Sequence, residues 1–324
     1  MTTSTEPLAG RPALPLTAAR HPGRGTPRTW VRRGGLANLI FLLPLLIVFG
    51  IFSWWPILDS VIISLQHTNY VTTTWATPFW SNFTFVLNDP TFVIAVRNTG
   101  YFALLALVFG YPLPIILAVL MSEVRRMKGL FSVLAYIPVV VPPVVSVLLW
   151  KTAFYDASGT GVFNTILSWV GIPAQPWIQN PASAMPSLVL EATWAAAGGT
   201  IIIYLAALTN VAPELYDAAE VDGAGIWKKI WHVTLPQLRG ILLITFILQI
   251  IGTAQVFLEP YLFTSGGPVN STTTILLLIF QYAFQSSDGG SNYGAATALS
   301  LMLAAFLAIL SWVYFRVTRS WSQN

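Results

Sequence analysis

The chain has no cysteine, so disulfides and thiolate-bound metals are excluded. Its three histidines, His21, His67 and His232, are scattered and form no close ligand cluster or H-E-x-x-H pair. No G-x4-GK[ST] phosphate loop and no G-x-S-x-G elbow occur, so nucleotide hydrolysis and serine-hydrolase chemistry by those routes are absent. Charge is the scarcest resource: 9% of the 324 residues are Asp, Glu, Lys or Arg, against roughly 25% in soluble domains. With 55% hydrophobic residues and a mean hydropathy of +0.68, the chain cannot build a water-facing surface. It reads as an all-α integral membrane protein.

Residues 1–35 hold six arginines (Arg11, Arg20, Arg24, Arg28, Arg32, Arg33), one acid (Glu6) and no periodicity, the pattern of a disordered basic tail. The first apolar run, Leu36 to Trp55, follows too long a basic region for a signal peptide and has no small-x-small cleavage site. It is expected to be an uncleaved span. Five more runs are long enough to cross the bilayer: Val93–Met121, Leu130–Trp150, Met185–Thr209, Gly240–Thr264 and Gly294–Phe315. Pro112, Pro114, Pro138, Pro142 and Pro143 are expected to bend or break their helices. The resulting division is a tail (1–35), a six-span domain (36–316) with a polar loop at about 210–239, and a C-terminal tail (317–324).

Loop charge gives the orientation. With the N-terminus inside, the cytoplasmic segments hold fourteen of the sixteen basic residues: the six tail arginines, Arg125, Arg126, Lys128, Lys228, Lys229, Arg239, Arg316 and Arg319. Only Arg97 and Lys151 fall outside. Both termini and the polar loop are therefore expected in the cytoplasm. The external loops carry Asp59, Asp89, Asp156 and Asp288 with Trp75, Trp80, Phe83, Trp169 and Trp177. Such rings usually sit at headgroup level; a docking surface for an external protein is the other reading.

The polar loop centres on Asp217-Ala218-Ala219-Glu220-Val221-Asp222-Gly223, followed ten residues later by Val233-Thr234-Leu235-Pro236. Asn210 and Pro213 suit a helix start, and Glu214 and Asp217 suit the positive end of its dipole. Gly223 and Gly225 interrupt the helix. Trp227, Ile230 and Trp231 resume an apolar stripe, and Pro236 is expected to restart the chain into the fifth span. The pattern predicts two short helices with a glycine bend. An interfacial helix lying on lipid is disfavoured, because Glu214, Asp217, Glu220 and Asp222 would face an anionic leaflet. Small alanines flanked by acids suit a protein partner.

Within the apolar runs, Glu191 and Glu259 stand out, because an intramembrane charge costs about 2.5–3.5 kcal/mol on insertion scales. Gln249, Gln255 and Trp194 are near them in sequence. On a continuous helix Gln255 and Glu259 share a face, with Gln249 roughly 120° away. Carboxamides, a carboxylate and an indole would suit a solute with several polar groups and an apolar face; interhelical hydrogen bonding is the structural alternative. Asn98, Thr99 and Tyr101 open the second span and are weaker candidates for the same pathway.

Asp217-Ala218-Ala219, three residues, Gly223, nine residues, then Val233-x-Leu235-Pro236 resembles the "EAA" loop (EAA-x3-G-x9-I-x-L-P) of ABC importer permeases. Glu214 to Ala224 is similar to the carbohydrate branch of that family, the relatives of the maltose and glycerol-phosphate permeases. So are Leu262-Phe263-Thr264-Ser265-Gly266-Gly267-Pro268 with Ser271-Thr272, and Tyr293-Gly294-Ala295-Ala296. The similarity runs from the first span to the C-terminus. Here Asp217 and Val233 replace the usual Glu and Ile, and Gln255 to Pro260 is more polar than usual.

The resemblance implies a six-span sugar permease subunit in a bacterial inner or plasma membrane. Asp217, Ala218, Ala219, Gly223, Leu235 and Pro236 would form a coupling helix seated in a groove of a partner ATPase. The other implied partners are a second permease forming a heterodimer, a second ATPase copy and an external solute-binding protein. The chain itself would carry no cofactor and no nucleic acid, since ATP is bound by the ATPases. Glu191, Trp194, Gln249, Gln255 and Glu259 are the expected substrate-pathway residues. The rival class is an integral-membrane enzyme acting on a lipid or sugar; it needs an acid pair or basic pocket at one interface, and the acid cluster lies on the loop instead. A channel would need a ring-forming charge pattern, and none is present.

Overall fold

A computed structural model describes residues 35–69, 71–123, 128–285 and 291–321. The arginine tail, Arg125, Arg126 and Asp288 lie outside them. The chain divides into two units, residues 1–58 and 59–324.

From the first unit, α1 (Gly35–Phe49) passes through a π-helical turn (Gly50–Trp54) into α2 (Trp55–Ser64), whose residues from Asp59 on belong to the second. The segment Ile40–Ser64 is apolar enough to cross a membrane, and none of its hydropathy window is buried within the chain. Phe41 is 84% exposed and Phe52 75%. A helix apolar all round and so exposed belongs in lipid.

In the second unit a short antiparallel hairpin, β1 (Gln66–Thr68) with β2 (Thr73–Trp75), pairs Gln66 with Trp75 and Thr68 with Thr73. It is a small addition to an otherwise helical architecture. The buried Asn82, on α3 (Ser81–Asn88), holds it by donating to the Ser64 and Gln66 carbonyls at 2.8 Å each. There follow α4 (Pro90–Leu105), α5 (Pro112–Glu123), α6 (Lys128–Val140), α7 (Pro143–Leu149) and α8 (Val162–Trp169). The long α9 (Pro181–Leu208), the loop helices α10 (Pro213–Val221) and α11 (Ile226–Lys229), then α12 (Leu235–Ala254), α13 (Ile275–Phe284) and α14 (Tyr293–Trp321) complete the order.

Among the described residues, five helical segments are long and apolar enough to span: Ile40–Ser64, Pro90–Glu123, Pro181–Leu208, Ile226–Ala254 and Tyr293–Thr318. The third apolar run is different. It is a helix pair, Gly129–Val140 and Pro143–Phe154, bent by 97°. Pro142 and Pro143 have no N–H, so the Pro138 carbonyl takes the Val141 N–H at 3.2 Å instead and the Val139 carbonyl loses its helical donor, and the second segment starts afresh with Pro143 at its first turn. The other prolines do not break their helices. Pro56, Pro112 and Pro236 each lie two residues beyond a π turn: Gly50–Trp54, Ala106–Gly110 and Ile230–Thr234. The residue four before each proline is the centre of that turn. There the ladder shifts to i→i−5 bonds, such as Tyr111 N–H to Ala106 O at 2.8 Å, and the proline's missing donor is absorbed.

Two span limits also differ from expectation. The fifth run does not continue as one helix to Thr264: α12 stops at Ala254 and a separate turn covers Pro260–Thr264. The last helix extends through Trp321, past the expected end at Phe315, because nothing helix-breaking follows.

Three apolar clusters hold the second unit. The first is aromatic, built on Trp150, Tyr155, Phe263, Met185 and Leu188; the second on Ala118, Ile201 and Tyr204; the third on Val86, Ala95, Leu278 and Leu299. Where α9 meets α6, Gly198 allows backbone contact: a Cβ there would lie 2.1 Å from the Ala135 carbonyl oxygen. Trp177, expected at headgroup level, packs against the aromatic cluster, and its Nε1 donates to the buried Asn164 at 3.0 Å. Trp75, Trp80 and Trp169 stay exposed.

Candidate functional site

Two features stand out, a projecting loop and a cavity. In the loop, Pro213 occupies the first turn of α10 and Glu214 lies in the same turn. The N-cap is Ala212, with no side-chain bond. Asn210, expected to start this helix, instead closes the previous one, donating to the Ala206 carbonyl at 3.1 Å. At the other end, Ala224 N–H bonds to Ala219 O at 2.8 Å and Gly223 N–H to Glu220 O at 3.0 Å. Gly223 has φ +71°. This is a Schellman motif with Gly223 in the left-handed C′ position. The Ala-Ala-x3-Gly spacing thus has a backbone cause: it places the glycine where a left-handed residue must end the helix.

The second arm is not a separate short helix. Gly225 caps α11, which runs through the π turn into α12, so Ile226–Ala254 is one continuous segment. Leu235 and Pro236 lie where that helix enters the span. The arms are tied by Lys229 Nζ to Glu220 Oε1 at 2.8 Å and by the Tyr216 and Thr234 hydroxyls at 3.1 Å. No residue of α10 is buried. Asp217 and Ala218 are exposed and Ala219 half-buried. Val221 (89% exposed), Trp227 (72%) and Trp231 (66%) project from the same loop, so the predicted Trp stripe faces outward rather than packing within the chain. Large apolar side chains beside acids, uncovered by the chain itself, mark an interaction surface.

The cavity, about 550 Å³, lies among α4, α5, α9, α12 and the segment after it. Gln249, Gln255 and Glu259 line it together with Thr193, Thr200, Thr245, Tyr111, Phe102 and Phe257. Gln255 and Glu259 are not on one helix; the chain leaves α12 at Ala254, and the turn that follows delivers both side chains to the cavity. Among the described residues, no Lys, Arg or His lines it. Glu191 and Trp194 do not line it. On α9 the cavity face is set by Thr193, Ala196, Ala197 and Thr200, and Trp194, about 100° around from Thr193, turns away. It packs in the aromatic cluster, 5.5 Å from the Trp150 ring. Glu191, about 200° before Thr193, is buried against α7, accepting a hydrogen bond from Ser146.

Asn98 and Thr99 brace a loop instead of facing the cavity. Asn98 donates to the carbonyls of Asn270 (2.7 Å) and Thr273 (3.0 Å), and Thr99 accepts from Ile275 N–H at 3.0 Å. Both are buried, as are Thr272, Thr273 and Thr274. The segment after Gly266-Gly267-Pro268 is therefore fixed to α4 by hydrogen bonds. Sequence reading missed the hydroxyl-rich lining by Thr193, Thr200 and Thr245, whose only signal was threonine on otherwise apolar helices. In the segment after the broken pair, hydrogen bonds from the Ser158 and Thr160 hydroxyls hold the exposed Asp156 carboxyl below the usual carboxylate range.

Residues 110–323 match the family described as binding-protein-dependent transport system inner membrane component. The chain belongs to that family. Among its relatives are the arabinooligosaccharides transport system permease protein AraP of Halalkalibacterium halodurans, 32% identical, with 85% of this chain and 86% of that one covered. The lactose transport system permease protein LacF of Rhizobium radiobacter is 32% identical over 86% and 93% of the two chains. The trehalose/maltose transport system permease protein MalF of Thermococcus litoralis is 30% identical over 86% and 92%. A chain in the crystal structure of a bacterial ABC transporter that imports the acidic polysaccharide alginate superposes with TM-score 0.77 at 27% identity, covering 90% of this chain and 99% of its own. A chain in the crystal structure of a bacterial alginate ABC transporter in complex with an alginate pentasaccharide-bound periplasmic protein gives TM-score 0.78 at 27% identity. The molecule is thus a multi-pass ABC transporter permease subunit, not an enzyme.

Proposed function

We propose that the chain forms half of the solute pathway of a bacterial sugar importer and transmits force from separate ATPases through the 217–223 loop. The observation that carries the sugar assignment is the cavity lining: two carboxamides, a carboxylate, several hydroxyls and aromatic rings, with no cation. Polyhydroxylated solutes need paired donors and acceptors plus an apolar face, and the relatives named above are sugar permeases. The partners are a second permease, an ATPase pair docked on Asp217, Ala218, Ala219 and Gly223 near Leu235 and Pro236, and an external solute-binding protein. Fourteen of sixteen basic residues on one side support cytoplasmic termini and a cytoplasmic loop, with the 129–154 pair counted as the third of six spans. ATP-driven closure of the ATPases would pull the loop and switch the cavity from inward- to outward-facing.

The test is ATP-dependent uptake of labelled oligosaccharides in proteoliposomes holding the full complex. Gln255→Ala should raise the half-saturating concentration about 3- to 10-fold and Glu259→Ala about 10-fold or more, the range expected for lost neutral and charged hydrogen bonds. Unchanged kinetics in both variants would assign these residues to structure. Absence of uptake across the sugar panel would sink the sugar assignment.

A further inference from the structure

Beside the main cavity lies a second compartment of about 120 Å³, lined by Glu191, Glu259, Ser146, Val139 and Val141. Glu259 and Leu258 line both spaces. Glu191 is 1% exposed. Its Oε1 accepts from the Ser146 hydroxyl, while Oε2 is buried with no hydrogen-bond partner. A buried carboxyl left so is costly in either form: ionised, it lacks a countercharge; protonated, its O–H lacks an acceptor. The compartment sits at the 97° break between α6 and α7, where the two prolines release the Val139 carbonyl from the helix ladder.

We propose that this compartment is a site for a small monovalent cation, Na+ in the first instance, held by Glu191, Glu259, Ser146 and backbone carbonyl oxygen at the helix break. Every donor is a hard oxygen, with no imidazole or thiolate, which suits alkali and alkaline-earth ions over transition metals. Ser146 donates its single proton to Glu191 and keeps lone pairs free for an ion. The half-helix end and broken backbone supply the kind of oxygen environment in which transporters hold Na+ near the midplane. A singly charged ion gives up far less hydration energy than Ca2+ on entering a low-dielectric site. The ion would offset one of the two carboxylate charges and pin α6, α7 and α9 to the segment carrying Glu259, coupling its occupancy to the wall of the main cavity.

The purified full chain in detergent should show a saturable rise in unfolding temperature of roughly 3–6 °C as NaCl replaces choline chloride at constant ionic strength. Equilibrium dialysis with radioactive sodium should find one ion per chain. Glu191→Gln should abolish the rise; Ser146→Ala, which removes a ligand but no charge, should shift its midpoint about tenfold to higher sodium. If Glu191→Gln does not fold, the Ser146→Ala shift decides. Equal unfolding temperatures in sodium and choline, a response undiminished in Ser146→Ala, or a rise seen with CaCl2 alone would each overturn the assignment.

Discussion

Replacing Gly223 by valine should abolish ATP-driven uptake while the chain still inserts and purifies normally. Gly223 holds φ +71° as the left-handed C′ residue of the Schellman motif, and a Cβ built there meets nothing within 4 Å. The substitution therefore meets no clash inside the chain. It costs left-handed strain of about 1–2 kcal/mol, more for a β-branched residue, and it puts bulk on the loop surface where the ATPase is proposed to sit. A loss of at least ~100-fold in uptake is expected if strain and obstruction act together. Gly223→Asn separates the two, because asparagine tolerates the left-handed region. We expect it to restore the helix end and recover uptake to within about tenfold of wild type. Full uptake in Gly223→Val would remove the loop from the coupling path.

Gly198→Leu should destabilise the fold more than any surface change. The 2.1 Å approach to the Ala135 carbonyl is to backbone, so α6 would have to move bodily off α9. Overpacking of this kind costs about 1–3 kcal/mol and occasionally more, and contact with a main-chain atom places it at the upper end. A fall of roughly 5 °C or more in unfolding temperature is expected. Gly199, one residue on, has nothing within 4 Å of a built Cβ, and Gly199→Leu should leave the unfolding temperature near wild type. Equal behaviour of the two variants would contradict the close packing of α6 on α9.

How much of this was legible in the residues differs by scale. Apolar runs of bilayer length marked the spans because an all-apolar helix has no other stable environment. The loop was legible because its spacing is a backbone signal: Ala219 to Gly223 is the interval a helix end needs to reach its left-handed residue. Side-chain direction was not legible. The expectation that Gln255 and Glu259 share a helical face rested on an unbroken helix, yet apolar composition continues to Thr264 while the helix ends at Ala254; hydropathy carries no information on that stop. Trp194 and Glu191 lie one and two residues from the cavity-lining Thr193, and that much helical rotation turns both away. Prolines were legible only in part. A π turn absorbs Pro112 and Pro236, whereas the tandem Pro142-Pro143 removes two consecutive donors and yields the 97° break. Asn98 and Thr99 serve a loop more than 170 residues away in sequence, a pairing no local pattern encodes.

The central claim is that the 217–223 loop faces the cytoplasm and docks the ATPase. A chain without cysteine allows this to be measured with one thiol. Asp217→Cys in the assembled transporter should react with a membrane-impermeant maleimide in inside-out vesicles and not in right-side-out ones. It should also form a cross-link to the ATPase subunit whose yield changes when ATP is added. Labelling from the outer face, or labelling from the inner face that is undiminished by bound ATPase and yields no cross-link, would contradict the account.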